Sequence, residues 1–319
     1  MKTLFATALL ACALLGSAAR AADMTVTLLG TGTPIPEPDR FGPSTLVQAG
    51  GLNLLFDAGR GAPIRLAQIN VLTGQIDALF LTHLHSDHVN GLPDVWLTGY
   101  LPIGGRKGAL HVYGPEGTAD LARGLVAAYA EDQRLRLRTT PDAKPDMEID
   151  ARKFSAEGPV FEKNGVKVIA FPVDHGPGLK AFGFEIDFGG RKVVLSGDTK
   201  LNDNVIKHAT GADLLVHEVF VVPPALKDTP IVAAIQRVHV TPQQAGMVFS
   251  QARPKLAVYS HIGLFSTPKV PPVAVDEIGH QTRETYAGPF EIGRDLMRVT
   301  VGDAVTVRNF DANRNGYGD

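Results

Sequence analysis

The chain has 319 residues, of which 44% are apolar and 20% charged, so it can build a buried core and its composition excludes wholesale disorder. Its formal net charge is −2 at pH 7, and its Lys and Arg residues are scattered, so composition gives no sign of a nucleic-acid-binding surface. A globular protein is therefore expected.

The first two dozen residues have the pattern of a secretory signal peptide. Lys2 precedes an apolar stretch from Leu4 to Leu15, and the small residues that follow end in Ala-Arg-Ala. This pattern predicts a signal peptide at residues 1–21, cleaved after Ala21. The apolar stretch is too short to span a bilayer. A competing interpretation makes Cys12 in LLAC a lipid-modified N-terminus, but the apolar region before it is very short.

Cleavage after Ala21 would remove the only cysteine of the chain. A mature protein without thiols suits an oxidising compartment, because it has no thiol that could mispair. We therefore expect a periplasmic or secreted protein without a membrane anchor.

The first half of the mature chain alternates short strands with turns rich in Gly and Pro. Four apolar runs are predicted strands: MTVTLLG, NLLFDAG, IDALFLTH and LHVYGP. GAPIRLAQIN is a predicted helix with Pro63 in its first turn, and Glu116 to Ala130 has helical spacing. Residues 139–160 are polar and predict an irregular connection.

The second half repeats this rhythm. Its predicted strands are VKVIAFPVDH, AFGFEIDFGG, RKVVLSGDT, ADLLVHE, KLAVYSHIG and EIGRDLMRVTVGDAVTVR, and TPQQAGMVFSQA is a predicted helix. The two halves are similar and no linker separates them, so we expect a single domain over residues 22–319. Two sheets packed face to face, with helices outside them, would bury these apolar strands.

The most informative stretch is THLHSDHVNG, which follows the predicted buried strand IDALFLT. His83 and His85 are two residues apart, so on an extended backbone their imidazoles point the same way. Asp87 and His88 come after a turn, where a helix is expected to begin. These four side chains predict a metal site, because imidazole and carboxylate together suit zinc, iron or manganese.

Further candidate ligands lie where apolar strands give way to glycine. His175 ends VIAFPVDH, Asp198 lies in VVLSGDT, and His261 ends LAVYSH. Strand ends are where open α/β architectures expose functional groups. Each residue alone could be a turn residue, but together they add two histidines and a carboxylate to the array.

With these motifs the chain resembles the metallo-β-lactamase-fold superfamily, and within it the branch of tRNase Z and arylsulfatase-like enzymes. The resemblance extends from about Thr25 to His261 and rests on LLGTGTPIP with Arg40, LLFDAGRG, THLHSDHVNGL, PVDH, AFGFEI, SGDT, VHE, HVTPQQA and YSHI. It implies an α/β fold, an αββα four-layer sandwich, and a hydrolase with two metals.

The resemblance also assigns seven metal ligands, which are His83, His85 and His175 for the first metal, Asp87, His88 and His261 for the second, and Asp198 as a bridge. Two zinc ions are expected, and the ligand types also suit iron or manganese. Two metals about 3.5–4 Å apart lower the pKa of a shared water and stabilise the oxygens of a displacement reaction.

The resemblance further implies a catalytic pair, because Glu218 and His239 match a Glu–His relay near the metals of tRNase Z-like proteins. In such a relay the carboxylate orients the imidazole, which protonates a leaving oxygen or contacts an anionic ester. Glu218, His239 and Asp87 are therefore the predicted catalytic residues. A buried His–Glu pair that fixes one loop is the alternative, and His217 is expected to be structural.

The expected substrate is a small anionic ester. Bacterial tRNase Z carries a long arm between the positions that match His175 and Asp198, whereas here only 22 residues separate them and predict a β-hairpin. The predicted export would also separate the enzyme from tRNA. We therefore expect hydrolysis of aryl sulfates or phosphodiesters by a metal-activated water, and no nucleic-acid partner. The alternatives are a tRNase Z-type ribonuclease, a lactonase, a β-lactamase or a non-catalytic binding module.

Two segments are candidates for the walls of the substrate pocket: WLTGYLPIGG, which runs from Trp96 to Gly105, and FVVPPALKDTPIVAAIQRV before His239. Trp96 and Tyr100 are four residues apart on a predicted helix, so core residues are the alternative for this pair. The second segment is too loosely patterned for a core element and would be a lid or a dimer contact. Related enzymes are often dimers, so a homodimer is left open.

Overall fold

The computed structural model describes residues 23–139 and 147–318. The signal peptide expected at residues 1–21 lies outside the described residues and stays a prediction. Within the described ranges, no helix is long and apolar enough to cross a membrane.

The first half of the described chain contributes six strands and five helices. The strands are β1 (Met24–Gly30), β2 (Ser44–Ala49), β3 (Leu52–Phe56), β4 (Ala78–Phe80), β5 (Leu110–Gly114) and β6 (Ile149–Lys153). The helices are α1 (Ala62–Gln68), α2 (Ser86–Val89), α3 (Leu92–Gly99), α4 (Thr118–Ala128) and α5 (Ala130–Thr139).

The second half of the described chain adds eleven strands and four helices. The strands are β7 (Gly158–Lys163), β8 (Val166–Val173), β9 (Ala181–Phe188), β10 (Arg191–Leu195), β11 (Leu214–Val221), β12 (Leu256–Leu264), β13 (Phe290–Ile292), β14 (Arg298–Val301), β15 (Val305–Arg308), β16 (Phe310–Asp311) and β17 (Gly316–Tyr317). The helices are α6 (Asp203–Ala209), α7 (Pro230–Ile235), α8 (Pro242–Ala252) and α9 (Asp276–Arg283).

Most strands belong to two large mixed sheets. The eight-stranded sheet has the order β15-β14-β1-β2-β3-β4-β5-β6, and the seven-stranded sheet has the order β13-β12-β11-β10-β9-β8-β7. The prediction of an irregular connection over residues 139–160 is wrong for its described part, which contains β6 and the start of β7. Both strands lie at the edge of a sheet, so their side chains are only partly buried and the apolar pattern of a strand is missing.

Apolar side chains fill the space between the sheets and cover their outer faces. Between the sheets, the rings of Phe56, Phe80 and Phe184 pack with centroids 4.8–5.8 Å apart. Trp96 of α3 is fully buried against the outer face of the eight-stranded sheet, and Phe249 of α8 against that of the seven-stranded sheet. Burial of each such side chain contributes roughly 1.5–3 kcal/mol. The layers run helix, sheet, sheet, helix, which confirms the expected αββα sandwich.

Candidate metal centre

The seven side chains predicted as metal ligands meet at one edge of the sandwich, between the two sheets. Both sheets contribute them: His83 and His85 follow β4, Asp87 and His88 lie in α2, His175 follows β8, Asp198 follows β10, and His261 lies in β12. All of them except His85 are buried.

His261 reaches this edge through a bulge in β12. Two residues of β12, Ser260 and His261, lie opposite the single Glu218 of β11. His261 also has a φ of 45°, which is rare for a residue other than glycine. A bulge redirects a side chain, and residues in such strained conformations concentrate at functional sites.

Three histidines form the first group. The Nδ1 atom of His85 lies 3.0 Å from His83 Nε2 and 3.3 Å from His175 Nε2. The other ring nitrogens of two of them are already used, since His83 Nδ1 lies 3.0 Å from Thr82 Oγ1 and His175 Nδ1 donates to the carbonyl oxygen of Val238 at 2.9 Å. The three remaining nitrogens therefore point at one common position.

The second group contains two histidines and a carboxylate. The Oδ2 atom of Asp87 lies 3.3 Å from His261 Nε2 and 3.6 Å from His88 Nε2. Asp198 lies between the two groups: its Oδ2 atom is 3.1 Å from His261, 3.4 Å from His88, 3.7 Å from His175 and 4.0 Å from His83. One carboxylate oxygen is thus adjacent to both groups.

The residues of both groups fit metal ions. Ligand atoms around a tetrahedral metal with bonds of about 2.0–2.1 Å lie about 3.3 Å from each other, and the separations here are 3.0–4.0 Å. Buried His88 Nε2 has no hydrogen-bond partner within the described part of the chain. A buried polar atom needs a partner, and a metal would supply one. Burial lowers the pKa of His83 and His175, so these imidazoles are neutral and can donate their lone pairs.

The charges around His88 point to the same conclusion. Burial would lower the pKa of His88, but the carboxylates of Asp198 and Asp57 outweigh it and raise that pKa well above its ordinary value. Burial likewise opposes ionisation of Asp198, yet His261 and His88 hold its pKa well below the usual range. The site therefore concentrates negative charge that requires a cation, as a metal centre does.

Asp57 is a functional residue that the sequence reasoning does not identify. It follows β3 with a φ of 58°, and its Oδ2 atom accepts hydrogen bonds from His88 Nδ1 at 2.8 Å and from Thr82 Oγ1 at 2.8 Å. Thr82 N donates to Oδ1 at 2.9 Å. Such carboxylates orient the ligating imidazole and raise its basicity. The sequence feature that could have identified Asp57 is its position at the end of the apolar run in NLLFDAG, before a glycine. Asp198 is predicted from the same kind of position.

Glu218 and His239 form a contact beside the two groups. His239 Nδ1 lies 3.0 and 2.9 Å from the two carboxylate oxygens of buried Glu218, and Thr199 N donates to Glu218 Oε1 at 2.7 Å. Burial lowers the pKa of His239, but Glu218 and Asp198 outweigh it and raise the pKa to about 9. His217 lies behind this pair, with Nδ1 donating to the Glu218 carbonyl, so it is structural.

An open cleft of about 390 Å³ leads to the two groups and to His239. Its apolar lining comes from Pro34, Pro177, Leu179 and Val238. The segment before His239 therefore reaches the cleft through Val238, as expected. The segment from Trp96 to Gly105 contributes no residue to the lining, and its Trp96 is fully buried in the outer core.

Two packed sheets between helices, with a His/Asp centre for metal ions at an open cleft, define a metal-dependent hydrolase. Residues 52–262 match the sequence profile of the family described as the β-lactamase superfamily domain. The chain belongs to the metallo-β-lactamase superfamily, in its tRNase Z branch.

Curated relatives agree with this placement, and solved structures share the fold. Ribonuclease Z of Mycobacterium bovis is 35% identical over 283 residues, which cover 86% of this chain and 98% of the relative. The short form of human tRNase Z has a TM-score of 0.65 at 24% identity and covers 87% of this chain and 99% of its own. A metallo-β-lactamase fold protein of Bacillus subtilis has a TM-score of 0.66 at 18% identity, with 88% and 99% covered.

These relatives correct two expectations. The curated relatives are named for a ribonuclease and match nearly their whole length, so the expectation of an aryl sulfate or other small ester as substrate is wrong. The expectation of no nucleic-acid partner is wrong for the same reason. The hairpin of 22 residues between His175 and Asp198 does not separate this chain from ribonuclease Z relatives. Net charge does not argue against a nucleic-acid partner, because it averages over the whole surface, of which a binding site would occupy only one part.

Proposed function

We propose that this chain is a metal-dependent endonuclease of the ribonuclease Z type, which hydrolyses a phosphodiester bond of RNA. The observation that carries the proposal is the seven-residue His/Asp centre with the Glu218–His239 pair beside it, open to one cleft. The curated relatives named ribonuclease Z support the choice of RNA as the substrate.

The centre would hold two zinc ions. The ligands of the first would be His83, His85 and His175, those of the second Asp87, His88 and His261, and Asp198 would bridge both. When bound, two such ions lower the pKa of a water and neutralise charge that develops on the phosphate.

The protein residues orient the ligands and move protons. Asp57 holds the His88 ring through Nδ1, which leaves Nε2 directed at the centre. Asp87 lines the cleft and offers a carboxylate oxygen to the attacking water. Glu218 holds His239 through Nδ1, and the ring of His239 lies within the cleft, where it donates a proton to the leaving oxygen. Glu218 in turn is fixed by the backbone N–H of Thr199.

The test compares substrates on one metal-loaded preparation. A 5′-labelled tRNA precursor, an unstructured RNA, bis(p-nitrophenyl) phosphate and p-nitrophenyl sulfate are incubated with the protein and, as control, with Asp198→Ala. We expect defined cleavage of the tRNA precursor, hydrolysis of the phosphate diester, and neither reaction with the variant. Hydrolysis of the sulfate ester together with intact RNA would contradict the proposal.

The compartment is a separate proposal. We expect the leader at residues 1–21 to be cleaved after Ala21 and the enzyme to be exported, so that it meets RNA outside the cytoplasm. Mass spectrometry of the N-terminus and cell fractionation test this. A cytoplasmic chain that retains residues 1–21 would contradict it.

A further inference from the structure

One wall of the cleft is built by two segments that pack against each other, residues 175–180 and residues 235–239. His175 Nδ1 donates to the Val238 carbonyl at 2.9 Å, and a Cβ on Gly176 would lie 2.9 Å from Val238 Cγ1. Leu179 and Val238 both line the cleft. We call these two segments the basic wall, because each places a cation next to a lining residue.

The cations of the basic wall are Lys180, which follows Leu179, and Arg237, which precedes Val238. Both side chains are exposed, and neither forms an ion pair with a described residue. Lys200 lies nearby, since its backbone N–H donates to the Asp174 carbonyl at 2.9 Å, but its ammonium is paired with the Asp174 carboxylate at 2.6 Å. Lys180 and Arg237 are therefore the cations of this wall that are available to a ligand.

The loop that brings Pro34 to the cleft has the opposite character. Glu37 and Asp39 are exposed on it. Its arginine, Arg40, turns inward and donates from Nη1 to Thr31 Oγ1 at 2.7 Å and to the Gly293 carbonyl at 3.0 Å. The loop thus presents carboxylates to solvent while its guanidinium is used inside the protein. The two borders of the cleft differ in charge.

We propose that Lys180 and Arg237 bind the phosphates of RNA that flank the scissile bond, so that the RNA enters along the basic wall and is repelled from the loop with Glu37 and Asp39. The inference rests on the proposed function, because a polyanion is the substrate class that such a pair of free cations recognises. Phosphate contacts supply sequence-independent affinity and make it depend on salt. Lys180 and Arg237 are only two of the 31 Lys and Arg residues that enter the net charge of −2, so composition does not reveal them.

The test removes one charge at a time. Lys180→Ala, Arg237→Ala and the double variant are compared with Lys107→Ala and Arg308→Ala, which lose the same charge from exposed positions that are not adjacent in sequence to a residue of the cleft lining. Steady-state kinetics on the tRNA precursor and fluorescence anisotropy with labelled RNA are measured between about 50 and 200 mM salt. Thermal melting verifies that every variant is folded, and Lys180→Arg tests whether positive charge suffices.

We expect each cleft variant to raise KM and the dissociation constant for RNA by about fivefold to tenfold, with the loss in KM rather than in kcat. The slope of log affinity against log salt should fall by about 0.7–0.9 for each variant, and Lys180→Arg should restore it. The two control variants should behave as the parent protein. If the salt dependence of RNA affinity were equal in the wall variants and the controls, the inference would be overturned. RNA cleavage by the same proteins would still support the proposed function. RNA binding that weakens as expected, without any cleavage, would show that the two cations bind RNA phosphates and would overturn the proposed cleavage of RNA.

Discussion

Replacement of His239 by alanine tests the role of the Glu218–His239 pair through the leaving group. If His239 donates a proton to the departing oxygen, its loss must matter most where that oxygen is a poor leaving group. The alkoxide that leaves from RNA is such a group, whereas the p-nitrophenolate of bis(p-nitrophenyl) phosphate leaves readily without a proton. The expected effect of His239→Ala therefore depends on the substrate.

The size of the effect follows from the geometry. A positioned general acid contributes about 10²- to 10⁴-fold, and His239 is positioned, because its Nδ1 lies 2.9–3.0 Å from Glu218 and its ring lies in the cleft. We expect a loss of that size on RNA and a loss below about tenfold on the aryl diester. The variant also leaves buried Glu218 without His239 as a partner, which costs about 1–3 kcal/mol of stability.

The assay measures kcat/KM on both substrates at matched metal content. His239→Gln serves as a second variant, since its amide can donate to Glu218 but cannot act as an acid. His280→Ala is the matched control, because His280 has 80% of its side chain exposed. Equal losses on the two substrates would refute the general-acid role and leave His239 as a structural residue that fixes one loop.

Three further predictions concern the metal centre. Asp198→Ala should reduce the bound metal, measured by elemental analysis, to about one ion or fewer per chain, because one oxygen of Asp198 is adjacent to both ligand groups. A full complement of two ions would contradict the proposal that Asp198 bridges the two metals. Asp57→Asn should weaken metal affinity about 10- to 100-fold in a chelator competition, because His88 loses its charged hydrogen-bond partner. An unchanged affinity would contradict the role of Asp57 in orienting His88. Removal of bound metal by a chelator should lower the melting temperature of the protein, because the carboxylates around His88 lose their cations, and added zinc should restore it. Identical melting curves with and without metal would contradict the fit of the site to metal.

The metal centre could be predicted because it depends on backbone direction. His175 and Asp198 follow apolar strands and His261 lies toward the carboxyl end of the apolar strand β12, and strand ends of a packed sheet meet at common edges. Asp57 obeys the same rule, yet nothing in its one-dimensional context separates a carboxylate that supports a ligand from one in a turn. The bulge that turns His261 into the site depends on the pairing of β11 with β12 and is not visible in the sequence of either strand.

The remaining errors have physical causes as well. Trp96 and the residues after it have a helical spacing that is typical of both a core helix and a pocket wall. In the structure Trp96 is fully buried and belongs to the outer core. The expectation of a small ester rests on the short hairpin before Asp198 and on the predicted export, and composition adds the low net charge. None of these properties reports on local charge, such as that of Lys180 and Arg237, which are adjacent in sequence to residues of the cleft lining.

In the proposed function, the His/Asp centre cleaves RNA when it holds two metals. The most direct measurement titrates metal-free protein with zinc and follows single-turnover cleavage of a labelled tRNA precursor. The rate should rise with added zinc and level off at about two ions per chain. RNA that stays intact at full metal loading, while an aryl sulfate is hydrolysed by the same sample, would contradict it.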